Sequence, residues 1–272
     1  MEPVTRRQPK QSRDELRGLL VETGRSILRD EGLGAGAESL TFKRVFDRVE
    51  RDTGVRLTNA SIIRRVWENQ ADFQADVLVA IAADDSDAEI RRMLDSVGGV
   101  LDSVDVSSEE SRWQALRDLC RVAGDASLAA LRESADWPSW MGVWGLAAGG
   151  TPLEYRRRIR SALIDGYEDF TVKYVRVYAD MAAVLGFRPR EGLTFRQFAI
   201  AAESLGEGCE LRNRINPAEM QAILRPTGAD GGGEEWALFA IGLEALAVQF
   251  FEIDPDWVPG GGERTDDGPR AG

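Results

Sequence analysis

Apolar residues recur every three or four positions along most of the chain, which is the spacing of an amphipathic α-helix. The longest stripe follows Thr151-Pro152 and runs to Gly186, which corresponds to about nine helical turns. The same spacing predicts helices over residues 13–31, 41–54, 111–133, 137–149, 194–213 and 234–251, with one or two more between 84 and 110. No strand-like alternation of any length interrupts this pattern. The sequence therefore predicts an all-α fold.

Polar residues that favour helix starts mark the first part of the chain. Thr41 precedes an apolar stripe that Gly54 ends, and Asn69 precedes the apolar run that begins at Phe73. Between them, Thr58, Asn59 and Ser61 are candidate N-caps of a short helix that ends at Trp67. This order predicts helix, turn and helix, with the polar face of the short helix carrying Arg64 and Arg65.

The sequence after the short helix carries a recognisable signature. Residues 67–73 read Trp-Glu-Asn-Gln-Ala-Asp-Phe and resemble the F-x-[ST/N]-K-x-x-L signature that follows the recognition helix in TetR-family transcriptional regulators. The resemblance covers about residues 13–82. Gln70 replaces the family's Lys, Arg64 replaces its Tyr, and the stretch from Thr41 to Trp67 is several residues longer.

The resemblance implies a fold and a set of DNA contacts. The fold would be a three-helix helix-turn-helix head over residues 13–84 and a larger helical domain over 85–258 that binds an effector and dimerises. A helix start with free backbone amides is a natural phosphate site, although Thr41 is equally well explained as a structural cap. The predicted DNA-binding residues are Thr41, Lys43, Arg44, Arg56, Thr58, Asn59, Ser61, Arg64, Arg65 and Gln70.

The charge of the chain is unevenly distributed. The net charge is −12, yet residues 1–70 contain 14 Lys and Arg against 11 Asp and Glu, and the remainder contains 20 against 35. A mildly basic head on an acidic body suits a protein of which only one part meets DNA. An acidic protein with an ordinary basic tail would show the same numbers. Residues 1–12 are predicted to be a disordered basic arm, and residues 259–272 a disordered Gly-rich tail.

The side chains that most often carry catalysis or bind metals are scarce. The chain has no His, and its two cysteines, Cys120 and Cys209, are far apart in apolar surroundings typical of buried thiols. We therefore expect no metal, no cofactor and no catalytic residues. No apolar run approaches the roughly 18 residues of a membrane helix, and no apolar signal core is present at the N-terminus, so a cytoplasmic protein is expected.

Aromatic residues in the predicted larger domain suggest an effector site. Trp140 and Trp144 are four positions apart on one short helix, which also carries Trp137. Most such stripes are core, but in the family the body encloses a ligand cavity, which implies a hydrophobic effector. The candidate ligand-binding residues are Trp113, Trp140, Trp144, Tyr167, Tyr174 and Tyr178.

The last predicted helix is apolar on nearly every side and therefore calls for two partners. One partner would be its own domain, and the other would be the last two helices of a second copy, as the family resemblance also implies. The predicted dimer interface comprises Phe198, Ala202, Leu205, Trp236, Phe239, Leu243, Leu246 and Phe250.

Together these observations favour a homodimeric, ligand-responsive transcriptional regulator, expected to be a repressor acting on a palindromic operator. Its partners would be double-stranded DNA, a second copy of itself and a small hydrophobic effector, with no membrane. The alternative is a helical scaffold or adaptor whose head no longer binds DNA. An enzyme in a helical bundle is a weaker third reading, because no His and no paired carboxylates are present to support it.

Overall fold

A computed structural model describes residues 12–33, 37–57, 66–83, 87–149, 153–226 and 232–259. This part of the chain is mainly helical, which confirms the prediction of an all-α class. The helix-turn-helix architecture of the head stays a prediction. Its helices are α1 Arg13–Glu31, α2 Phe42–Thr53, α3 Gln70–Ala82, α4 Asp87–Leu101, α5 Glu109–Glu133, α6 Trp137–Ala148, α7 Leu153–Leu185, α8 Phe195–Ile215 and α9 Leu238–Phe250. No helix among the described residues is both long enough and apolar enough to cross a membrane.

The chain divides into two compact units. The head unit comprises residues 1–84 and 135–167, and the body unit comprises residues 85–134 and 168–272. The division after residue 84 lies at the predicted boundary, but residues 135–167 were predicted to belong to the body. They belong to the head unit because side chains tie α6 to α1: Arg29 pairs with Asp136 at 2.6 Å, and the Ser139 hydroxyl donates to the carbonyl of Leu28.

The core of the head unit lies among α1, α2, α3, α6 and the first turns of α7. Its most buried side chains include Leu20, Val45, Phe73 and Val77. Gly24 allows α1 to approach α3 closely, because a Cβ at this position would lie 2.7 Å from Cγ2 of Val77. The packing around α1 therefore depends on a residue without a side chain at this point.

The core of the body unit is formed by α4, α5, α8, α9 and the later turns of α7. Helices α5 and α9 approach each other at Gly124, where a Cβ would lie 2.7 Å from both Cα and Cβ of Ala240. On another turn of α5, Arg117 pairs with Glu244 of α9 at 3.0 Å. Backbone contact and an ion pair thus fix the same two helices.

Four three-residue strands were not predicted. In the body unit, β1 Phe187–Pro189 pairs antiparallel with β4 Phe251–Ile253, and β2 Ile223–Arg225 pairs antiparallel with β3 Glu234–Trp236. Three residues are too few to show an alternating pattern in the sequence. Residues 228–233 were predicted to link two helices; they lie between β2 and β3, and residues 227–231 are outside the described part.

Candidate nucleic-acid interface

Helix α2 begins and ends where its sequence predicts. The Thr41 hydroxyl accepts a hydrogen bond from the backbone N–H of Arg44 at 3.4 Å, and Gly54 ends the helix with a left-handed φ of 72°. The apolar face is buried through Phe42, Val45 and neighbouring residues. The opposite face is therefore the one left to meet a partner.

Helix α3 also begins at the predicted cap. The Asn69 side-chain oxygen accepts a hydrogen bond from the backbone N–H of Asp72 at 3.0 Å. Beside this start, the ring of Phe73 stacks on Phe42 of α2 with centroids 5.0 Å apart, and Trp67 meets Phe73 edge-on at 4.9 Å. Large aromatic contacts therefore hold the first turns of α2 and α3 together.

The two helix starts are joined directly by side chains of α3. The side-chain oxygen of Gln70 accepts a hydrogen bond from the backbone N–H of Phe42 at 3.4 Å. One turn later, the Gln74 side-chain amide donates to the carbonyl of Leu40 at 2.9 Å. Because a helix N-terminus carries partial positive charge, the adjacent starts of α2 and α3 place two such charges side by side.

Gln70 was predicted to touch phosphate, and the structure gives its oxygen a different partner. That oxygen is occupied by Phe42, so the residue links two helix starts. A Lys at position 70 could not make this bond, because its side chain has no hydrogen-bond acceptor. The amide oxygen of Gln70 accepts the backbone N–H and so has a structural role that the local sequence does not reveal.

The basic residues of α2 have acidic neighbours. Lys43 is 82% exposed and pairs with Asp47 at 2.5 Å, one turn along the same helix. Arg44 pairs with Glu31 and also donates to the carbonyl of Ser39 at 2.9 Å. These cations lie on the face that is expected to meet DNA, but nearby carboxylates already balance part of their charge.

The remaining predicted DNA contacts fall in two groups. Arg56 is exposed after the end of α2. Thr58, Asn59, Ser61, Arg64 and Arg65 lie outside the described residues. The chain is described again at Val66 and Trp67, whose side chains are both buried in the core of the head unit. The predicted reading segment is thus followed directly by an anchored tryptophan.

The six predicted effector residues are divided between the two units. Trp140 packs edge-on against Tyr167 in the head unit at 5.3 Å, and Trp144 of the same helix is 44% exposed. Trp113, Tyr174 and Tyr178 belong instead to the body unit, where Trp113 packs on Phe187. Within α6, Trp140 is thus packed against an aromatic side chain, whereas Trp144 is largely uncovered.

The body unit contains a different apolar cavity, of about 50 Å³, between α5, α7, α8 and α9. Tyr178 is the one predicted effector residue that lines it; Cys120, Met181, Phe198 and Leu243 are further lining residues. Burial raises the pKa of the Cys120 thiol to about 12 and also raises the pKa of Tyr178, so both groups are neutral. From the sequence, Cys120 is expected to be a buried structural thiol. The sequence feature that could have indicated this cavity is the helical spacing of Tyr178, Met181 and Leu185, which all line it.

Residues predicted for the dimer interface pack against the core of their own chain, and the interface itself stays a prediction. Trp236, Phe239 and Leu243 are buried in the body unit of the same chain, as are Phe198 and Ala202, and Leu205, Leu246 and Phe250 are packed against that core. The opposite face of α9 is the exposed one. It carries Leu238, Ala245 and Val248.

The described residues contain no group of His, Cys, Asp and Glu that could hold a metal ion. Cys120 and Cys209 are buried free thiols. In comparisons with protein-family models, curated proteins and solved structures, nothing matches the chain. The functional interpretation therefore depends on the geometry of the head unit and the body unit.

Proposed function

We propose that the protein is a DNA-binding transcriptional regulator, a ligand-responsive repressor that acts as a homodimer on a palindromic operator in the cytoplasm. The observation that supports this best is the junction of the α2 and α3 starts through Gln70 and Gln74. It holds the N-termini of two helices next to each other. The segment that carries Arg64 and Arg65 comes shortly before the second of these helices in the sequence.

Two adjacent helix starts suit the backbone of DNA. The N–H groups of Phe42, Arg44 and Asp72 already have side-chain partners, so the attraction for a phosphate comes mainly from the helix dipoles. Lys43 adds an exposed positive charge in the first turn of α2. Such contacts orient a protein on the duplex, whereas base-reading side chains supply specificity. In this proposal residues 58–65 supply the reading side chains in the major groove.

The outer faces of α8 and α9 suit a second copy. Helix α9 exposes Leu238 and Val248, and α8 exposes Ile200, Leu211 and Ile215, of which Ile215 is 75% exposed. Apolar side chains on two neighbouring helices favour burial against an identical pair, which would give an interface with two-fold symmetry. Two heads held by such an interface would bind two half-sites.

The body cavity suits a small, uncharged, apolar effector. Its lining offers few polar atoms, and a water molecule in a protein interior usually needs two to four hydrogen-bond partners. An effector that binds better to the form with wrongly spaced heads would shift the population away from the DNA-bound form. The loss of operator affinity would equal that difference in binding free energy.

A scaffold or adaptor that does not bind DNA is the second candidate. The ion pairs of Lys43 and Arg44 favour it, because cations that already have acidic partners contribute less to phosphate binding. Arg48 is likewise paired, with Asp30 at 2.9 Å and Asp52 at 2.7 Å. The choice between the two functions therefore needs a direct binding measurement.

Fluorescence anisotropy with a labelled duplex from the DNA flanking the protein's own gene tests the proposal. We expect affinity to fall steeply between about 50 and 200 mM salt, since phosphate contacts release counterions. Lys43→Ala should weaken binding and reduce the salt slope by about one, while Arg51→Ala, at the other end of α2, should change neither. Absence of binding to this duplex, even at about 50 mM salt, would favour the scaffold.

A further inference from the structure

A buried carboxylate in the head unit gathers side chains from three separate parts of the chain. Asp76 of α3 is only 8% exposed. Its Oδ2 accepts hydrogen bonds from the indole N–H of Trp67 at 2.7 Å and from Arg17 of α1 at 3.0 Å. Its Oδ1 accepts from Arg158 of α7 at 2.5 Å. One side chain thus connects α1, α7 and the residue that follows the predicted reading segment.

The partners explain why a charge is tolerated here. Burial alone raises the pKa of Asp76, but the hydrogen bonds from Trp67, Arg17 and Arg158 outweigh it, and the pKa lies below its ordinary value. A buried charge that loses a partner is strongly destabilised. Asp76 is therefore ionised at neutral pH, and each of its partners contributes to keeping it in place.

The two carboxylate oxygens of Asp76 have different hydrogen-bond partners. Trp67 and Arg17 share Oδ2, whereas Oδ1 is held by Arg158. Both oxygens belong to one planar carboxylate, so the donor held by Oδ1 helps to orient the Oδ2 that accepts from the Trp67 indole.

Trp67 lies two residues after the segment 58–65, and its ring is fixed by contacts with Phe42 and Phe73. Arg13 of α1 adds a long hydrogen bond to the carbonyl of Val66, at 3.5 Å. Val66 and Trp67 are thereby held both by ring packing and by polar contacts. Of these, the link through Asp76 is the one that reaches α7.

We propose that Asp76 is a positioning residue that couples Arg158 of α7 to the side chain of Trp67. The consequence for DNA rests on the proposed function, in which residues 58–65, which precede Val66 and Trp67 in the sequence, read the bases. Helix α7 would then influence DNA binding without contacting DNA, and Arg158 would be its point of action. Arg157, which is exposed on the same helix, would have no such effect.

Nuclear magnetic resonance of protein labelled with ¹⁵N at tryptophan tests the link directly. The Trp67 indole N–H resonance is assigned with Trp67→Phe. Arg158→Met keeps the apolar stem and removes the charged donor, so we expect this resonance to shift and its hydrogen exchange to accelerate. Arg158→Lys retains a charged donor and should restore most of the signal. Arg157→Met, the matched control, should leave the resonance unchanged.

The same variants are compared in DNA binding. Arg158→Met should weaken binding by roughly tenfold, within the usual range of coupling between sites, with an unchanged salt slope because no phosphate contact is lost. An unmoved Trp67 resonance in Arg158→Met overturns the proposal, and so does a shifted resonance with unchanged DNA affinity. If the wild-type protein binds no DNA, the proposed function fails, and the resonance alone decides whether Arg158 positions Trp67.

Discussion

Gln70 accepts a hydrogen bond from the backbone N–H of Phe42, so that a single amide group joins the first residues of α2 and α3. A glutamate can make the same bond, because its carboxylate is also an acceptor. Its negative charge would be favourable at a helix start by about 0.3–1 kcal/mol, but it would face the phosphates of bound DNA.

For Gln70→Glu we therefore expect an unchanged or slightly higher free energy of unfolding together with a loss of DNA affinity. Urea denaturation and fluorescence anisotropy measure the two quantities. Gln221→Glu makes the same charge change at an exposed position of the body unit and should affect neither. Full DNA affinity in Gln70→Glu would place the DNA contact elsewhere.

Two glycines of α1 provide a test of packing in the head unit. A Cβ at Gly24 would lie 2.7 Å from Val77, whereas nothing lies within 4 Å of one at Gly18. We expect Gly24→Ala to lower the free energy of unfolding by about 1–3 kcal/mol through overpacking. Gly18→Ala should raise it by about 0.5–1 kcal/mol, because alanine favours helix. Equal effects in urea denaturation would contradict the packing described here.

The proposed contact of the exposed face of α9 with a second copy can be tested at two positions of nearly equal exposure. Val248 is 39% exposed and Leu94 is 38% exposed. If the outer face of α9 meets a second copy, Val248→Asp buries a charge there and should shift a dimer towards monomer. Leu94→Asp on α4 should leave the dimer intact. Sedimentation velocity at micromolar concentration distinguishes these outcomes, and a monomeric wild-type protein would refute the dimer.

The body cavity can be tested with xenon, a small apolar probe that binds apolar voids. Cys120 and Cys209 are both buried free thiols, but of the two only Cys120 lines the cavity. We expect xenon under pressure to raise the melting temperature of the wild-type protein. Cys120→Ala, which enlarges the cavity, should increase that rise, and Cys209→Ala should not. An identical response of both variants would show that xenon binds elsewhere or not at all.

Stability should depend on pH through Glu203. Burial raises the pKa of its carboxyl group to about 8, and the neighbouring Glu207 adds to the effect. Between about pH 4.5 and 8 the unfolded chain has released a proton that the folded chain keeps, so the free energy of unfolding falls as pH rises.

Glu203→Gln should remove this dependence and be more stable than the wild-type protein at pH 8 by about 1 kcal/mol or more, with the difference vanishing near pH 4.5. Urea denaturation at several pH values measures it. Glu219→Gln, at an exposed site, should follow the wild-type curve. Parallel curves for wild type and Glu203→Gln would mean that Glu203 is ionised in the folded protein.

Local chemistry made much of the fold predictable. The caps Thr41 and Asn69 act within one turn of sequence, and the stop at Gly54 depends on its own backbone angle, so these helix ends could be read directly. The bond between Gln70 and Phe42 joins residues 28 apart and depends on how two helices pack, which no local pattern records.

The burial of individual helix faces could not be predicted in the same way. Periodicity showed that α9 has two apolar faces, but it could not show which face its own chain would cover, and the covered face is that of Trp236 and Leu243. In α6, spacing indicated a shared face for Trp140 and Trp144. It did not indicate how much of that face other elements bury, and the side chain of Trp144 is 44% exposed.

The close approach of Gly124 to Ala240 gives a means of recognising relatives of this protein. A methyl group at Gly124 would collide with the backbone of α9, so a larger residue at either position requires the two helices to move apart. In distant relatives we expect the two positions to change together and to remain small, even where the surrounding sequence has diverged. The expected pattern has two parts. One is a pair of small residues 116 positions apart, and the other is a Thr-Phe and an Asn-Gln at the two joined helix starts. We expect relatives to retain this pattern after overall sequence similarity has disappeared.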